Sequence, residues 1–250
     1  MKLIHENMIW ADTHSIKVFT ENTKANKAKL AKKTPNILLG MIQYTHNYMQ
    51  GLKRQSAYDA ASILFSDINW FKKSDTNVFI DENNIKHTIE LGKIYYIDFG
   101  NSFKGELSYF HYGLCIGKNN NKFLIIPIRS GNDIFDCSFH PTDNPNGKKC
   151  YRRGLQIEGF GKNCVLLLND IKYISAGRIE KETGYVSDVV LKSIQEQAFS
   201  VEFPIIFKNF MQQQQRLSRY EETLKDKKFE ISKLKQEINH LNQILNNKDH

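Results

Sequence analysis

Apolar positions along this chain follow three rhythms. In AYDAASILFSDINWFKK, residues 57–73, Ala60, Ile63, Leu64, Ile68 and Phe71 fall at three-four spacing with Asp67 among them, which predicts an amphipathic helix. From about residue 89 to 200 the apolar residues come in short runs. KIYYIDFG reads as a strand ended by Gly100, HYGLCIG and KFLIIPI as two strands around three asparagines, and NCVLLLNDIKYIS as a strand, a short turn and another strand. SDVVLKSIQEQAF reads as a helix with Ser187 at its N-cap and Val190, Ile194 and Phe199 on its apolar stripe. Beyond residue 204, Leu217, Leu224, Ile231, Ile238 and Leu245 recur every seven residues. Tyr220, Leu234 and Leu241 hold the second seam position, which Lys227 interrupts, so residues 204–250 read as one long coiled-coil helix. Three zones follow: a basic, helical region over 1–88, a strand-rich domain over 89–200, and the helix over 201–250. The fold class expected is α+β, with the strands forming a small barrel or half-barrel.

The two strands around the asparagines carry their own register. If the hairpin turns about Asn120, residues whose numbers sum to 240 face each other: Tyr112 with Ile128, Leu114 with Ile126, Ile116 with Leu124. All six are apolar and share one face, which fixes the register because a one-residue slip would expose them. The same register sets His111 opposite Arg129 at the open end, on the face away from that apolar set, with Glu106, Ser108, Tyr109 and Ser130 close by in sequence.

The 250 residues suffice for one large domain or one domain with appendages, and a net charge of +8 favours polyanionic partners, nucleic acid first among them. KANKAKLAKK gathers Lys24, Lys27, Lys29, Lys32 and Lys33 before Pro35 as a solvated or phosphate-touching face. No cysteine pair has metal-binding spacing, and Cys115 and Cys164 sit in apolar runs, as buried thiols in a reducing cytoplasm do. MKLIHENMIW lacks a long apolar core and carries Glu6, against a signal peptide, and no apolar run approaches the ~20 residues of a membrane span.

A histidine, an arginine and a carboxylate beside a phosphodiester are the parts for metal-free RNA cleavage. Imidazole exchanges a proton near neutrality, the guanidinium fork binds phosphate, and glutamate orients the imidazole or acts as a base. The ribose 2′-OH is the attacking nucleophile, so DNA would be spared. No cofactor is called for. Between the hairpin and the next apolar strand, a long turn-rich stretch carries Lys148, Lys149, Arg152 and Arg153 around Tyr151. A basic loop with one aromatic suits a single-stranded RNA backbone and one stacked base. His140, before Pro141, reads as structural or idle.

LGKIYYIDFGNSFKGELSYFHYGLCIGKNNNKFLIIPIRS resembles the opening of the MazF/PemK toxin family, and NCVLLLNDIKYISAGRIEKETGYVSDVVLKSIQEQ resembles its C-terminal part. The likeness covers about residues 91–198 and rests on the order of motifs rather than on any single one. It implies a small SH3-like β-barrel of MazF/PemK/CcdB type, usually dimeric, acting as a metal-independent, sequence-selective endoribonuclease. Such a toxin is held by an acidic antitoxin protein. Glu106 stands at the family's glycine-serine-glutamate acid, and His111 where the family has its catalytic arginine. Arg129 stands at the catalytic threonine or serine, and Ser130 at the next hydroxyl. Asp170, Ile171 and Lys172 fall at a glutamine-isoleucine-arginine element and Arg178 near a later arginine. Both main catalytic positions therefore change type. Two readings stay open: exchanged roles, with His111 moving the proton and Arg129 holding phosphate, or a binding module that has lost catalysis. The added helices pack together, dimerise, or dock the antitoxin; the sequence does not choose.

Overall fold

The computed structural model describes residues 13–81, 83–103 and 105–246, with side chains described as far as residue 239. The N-terminal decapeptide lies outside these residues, as do the side chains of Leu241 and Leu245. The chain is α+β and forms two compact units, Met1–Arg129 with Asp170–Tyr185, and Ser130–Asn169 with Val186–His250. Elements are numbered along the whole chain.

The first unit begins with helices α1 (Thr13–Lys17), α2 (Lys24–Ala28), α3 (Pro35–Leu52) and α4 (Ala57–Lys73). Its strands are β1 (Phe79–Ile80), β2 (Lys86–His87), β3 (Lys93–Asp98), β4 (Phe110–Asn119), β5 (Lys122–Arg129), β9 (Lys172–Ser175) and β10 (Ile179–Tyr185). β1 pairs with β2, and the other five run antiparallel in the order β10-β3-β4-β5-β9. The β4–β5 turn places Asn120 at a left-handed φ of 52°, which asparagine tolerates well.

The hairpin register holds where it bears on His111 and slips beyond it. Tyr112 pairs with Ile128 and Leu114 with Ile126 as the sum of 240 demands, but a bulge at Ile116 sets Gly117, not Ile116, opposite Leu124. The expected face is also corrected. Cys115, Phe123 and Ile125 lie in the core with Tyr95, Ile97 and Phe99, so the row that contains His111 points toward the core rather than away from it. Leu114, Ile126 and Ile128 on the other row are buried too. A strand buried on both faces has two apolar rows, so alternation alone cannot say which row faces the core.

α4 spans the predicted residues, and the Ser56 hydroxyl accepts from the Asp59 N–H at its start. Its buried stripe is Ile63, Ser66 and Asn69, while Leu64, Ile68 and Phe71 are exposed, about a third of a turn from the stripe expected. The reason is Asp98. This buried carboxylate on β3 accepts from Ser66 Oγ at 2.9 Å and from the Gly100 N–H at 2.9 Å. Asn69 bridges Asp98 and Glu180, and Lys73 Nζ reaches Glu180 at 2.8 Å. A buried carboxylate left without donors costs more than a few exposed apolar side chains, so the helix turns its polar residues inward.

The second unit holds α5 (Asn132–Cys137), β6 (Ser138–Phe139), β7 (Lys148–Gly154), β8 (Cys164–Leu167), α6 (Asp188–Glu202) and α7 (Pro204–Asn246). β7 lies between β8, antiparallel, and β6, parallel. All four residues of β8 are buried, matching its unbroken apolar run. The Ser187 hydroxyl accepts from the Val190 N–H and opens α6. Phe203 leaves the helical region and Pro204 starts α7, a position where proline's missing N–H costs nothing. Among the described residues no helix is long and apolar enough to cross a membrane.

Candidate functional site

β3 and β5 flank β4 and hold His111 from both sides. Ile97 is its partner on β3, and the Tyr112–Ile128 pair puts Arg129 next in line across from it. The loop before β4 is closed by reciprocal backbone bonds, from the Phe99 N–H to Tyr109 O and from the Tyr109 N–H to Gly100 O, both 2.8 Å. Closing it forces Tyr109 to a left-handed φ of 64°, a conformation that costs a residue with a Cβ about 1–2 kcal/mol. Gly100, at φ 79°, takes the matching turn at no such cost. Backbone strain two residues before His111 is what a pre-set functional site often holds.

His111 is half-buried. Burial holds its pKa below the usual imidazole range, and the Arg129 charge lowers it further, against a hydrogen bond with the Ser108 backbone. The ring is therefore neutral at physiological pH and has a lone pair to take a proton. Arg129 is exposed at the end of β5. The proximity that the sequence register called for is present.

Glu106 belongs to a neighbouring group. It is exposed and acts on Asp170 and Lys172. Burial lowers the Lys172 pKa, opposed by Glu106 and Asp170, and Arg178 lowers it further. Burial raises that of Asp170, opposed by Lys172, and Glu106 raises it further. Lys172 Nζ lies 5.1 Å from the centre of the Phe99 ring, a cation–π distance. Arg178 Nη1 donates to Asp98 O at 3.0 Å. A methyl on Gly113, two residues from His111 on the same row, would sit 3.4 Å from Phe99 Cζ. Phe99 thus touches the row of His111 and the lysine of the second group. Ser130, the remaining candidate, is exposed and is the first residue of the second unit.

The candidate RNA-binding residues are corrected in character. Lys148, Lys149, Tyr151, Arg152 and Arg153 stand on strand β7, not on a loop. Lys148 and Lys149 are exposed and Tyr151 is partly so. Arg152 is 2% exposed; it donates to Glu158 Oε1 at 3.0 Å and to Gln197 Oε1 at 3.2 Å, and its Nε has no partner among the described residues. Arg153 donates to the carbonyls of Phe135 and Asp136 and to the Asp143 carboxylate, with its guanidinium over the Phe135 ring. Neither arginine is free to meet a phosphate. Of the two roles expected for His140, structural or idle, its bonds fit the structural one: its Nδ1 accepts from the Thr142 and Asp143 N–H groups. Its Nε2 lies 3.3 Å from Glu158 Oε1, outside hydrogen-bonding alignment.

Phe99 and the strain at Tyr109 carried no signal in the sequence, because a loop closure is invisible until the strands are paired; Ser108 stood out only as a sequence neighbour of His111. Asp170, Lys172 and Arg178 were reached only through the family likeness. Among the described residues no group of three or more His, Cys, Asp or Glu is arranged to hold a metal ion. No family model matches the chain, and no curated protein matches it.

Proposed function

We propose that the first unit is a MazF-like endoribonuclease that cleaves single-stranded RNA without a metal, and that His111 and Arg129 have exchanged the roles their positions hold in that family. One observation carries the reading: a half-buried, neutral histidine faces, across adjacent strands, an exposed arginine that no carboxylate among the described residues neutralises. Imidazole takes the proton of a ribose 2′-OH. The 2′ oxygen bonds to the adjacent phosphorus, the bond to the 5′ oxygen breaks, and that oxygen takes a proton from water, leaving a 2′,3′-cyclic phosphate. Arg129 binds the phosphate as charge builds on it, and Lys172 adds positive potential from beside Phe99. The strand order β10-β3-β4-β5-β9 supports the SH3-like barrel that this reading expects. The net charge of +8 suits RNA and an acidic antitoxin protein in a cytoplasmic setting.

The test is cleavage of several RNAs by the purified protein in excess EDTA, wild type beside His111→Ala, with fragment ends identified. We expect cyclic phosphate ends from the wild type and a loss of about 10²–10⁴-fold in the variant, the range of general-base catalysis. Intact RNA with both folded proteins would replace the enzyme by a binding module on the same scaffold.

A further inference from the structure

The seam of α7 stands open. Leu217, Leu224, Ile231 and Ile238 hold its first position and Tyr220 and Leu234 its second, and each is at least half exposed. From residue 217 to 245 the seam runs for four heptads, roughly 42 Å at 1.5 Å per residue, enough for a stable coiled coil.

The charges beside the seam name its occupant. Arg216, Thr223, Glu230 and Glu237 precede the first seam position, and Glu221, Lys228, Lys235 and Asn242 follow the second. In a parallel, in-register pair each residue of the first set faces the residue five places later in the other chain. Arg216 then meets Glu221 of the partner subunit, and Glu230 meets Lys235 of the partner subunit. Thr223 meets Lys228 of the partner subunit, and Glu237 meets Asn242 of the partner subunit. Two pairs are opposite in charge, two are neutral, and none is alike. An antiparallel pair sets each flank against its own kind, one with two lysines among three charges, the other with two glutamates among three. Isoleucine at 231 and 238 with leucine at 234 is the seam chemistry that favours two strands. Lys227 bonds Glu230 at 2.8 Å, and a polar residue within a seam fixes register at some cost in stability.

We propose that α7 pairs with α7 of a second copy of this chain as a parallel, in-register, two-stranded coiled coil. The two second units are thereby joined at the same end of the coil. This pairing is independent of RNA cleavage.

Two full-length variants test it by sedimentation equilibrium. Glu221→Lys with Lys235→Glu, and Arg216→Glu with Glu230→Lys, each make both charged pairs repulsive in their own homodimer. Mixed together, they restore every attraction. We expect each variant alone to dimerise at least tenfold more weakly than the wild type and the mixture to regain wild-type affinity, as four pairs worth a few tenths of a kcal/mol each require. Independently, Tyr220→Cys should form a disulfide-linked dimer under mild oxidation, since in-register seam positions meet their own copies. A monomeric wild type at about 100 μM, variants that dimerise like the wild type, a mixture no tighter than its parts, or no cross-link at residue 220 would each overturn the pairing.

Discussion

Among the described residues, His111 and His140 each stand near an arginine, and their surroundings differ in what they leave open. His111 and Arg129 meet across β4 and β5 with the guanidinium in solvent. His140 and Arg152 meet through Glu158, and all three are largely sealed from water. In the first case no carboxylate among the described residues pairs with the cation, and the imidazole is only partly buried. In the second, Glu158 accepts from Arg152 and from the Leu155 N–H, Gln197 accepts from Arg152, and Gln197 donates in turn to Lys149 O at 2.9 Å. The same residue types leave a cation open to solvent when they meet at a surface, as the proposed cleavage needs, and make a structural rivet when the charges are matched inside.

Stability separates the two pairs most sharply. Arg152→Ala leaves Glu158 without its cation and empties a buried volume, so we expect a loss of about 3–5 kcal/mol, read as a fall in the denaturation midpoint. Arg129→Ala, at an exposed position, should change stability by less than about 0.5 kcal/mol while reducing RNA cleavage at least as far as phosphate binding depends on it. If Arg129→Ala unfolds the protein, or Arg152→Ala leaves the midpoint unmoved, the contrast fails.

The pH dependence sharpens the comparison further. Because burial and Arg129 lower the His111 pKa, its neutral form persists below pH 6.5, and the acid limb of the cleavage profile should lie below that ordinary value. Arg129→Gln removes one of the two lowering causes, so the limb should move toward higher pH. The same shift bears on stability. The unfolded chain binds the proton more readily than the folded one, so this contribution is present above pH 6.5 and is lost as pH falls through the folded value. A limb that stays in place in Arg129→Gln would detach the arginine from the histidine.

The smallest effect is expected at β7. Lys148→Gln with Lys149→Gln should leave stability within about 0.5 kcal/mol and lower the salt dependence of RNA binding by up to two phosphate contacts. An unchanged salt slope would remove the second unit from the RNA-binding surface.

The elements that were legible beforehand are those whose signal is local. α4, α6 and α7, the β4–β5 hairpin and the apolar strands β3 and β8 follow from period, caps and turn residues. β7 and β10 were not legible, because KKCYRRG and IEKETGY are too polar to read as strands and are set by their neighbours. The partnership of His111 with Arg129 was legible, since hairpin register is a counting problem. Its direction was not, because Gly113, Cys115, Ile125 and Pro127 make the second row as apolar as the first.

The sequence by itself determined the heptad seam and the charges beside it, the hairpin pairing near His111, and the pool of basic residues. Tertiary structure decided which of those residues are free. Arg152 and Arg129 are the same residue type, each on a strand, and no local pattern tells them apart. Only the arrival of Glu158 and Gln197 around one guanidinium makes it structural, because a buried charge must find its partners and an exposed one need not. The same physics turned α4 by its polar side toward Asp98.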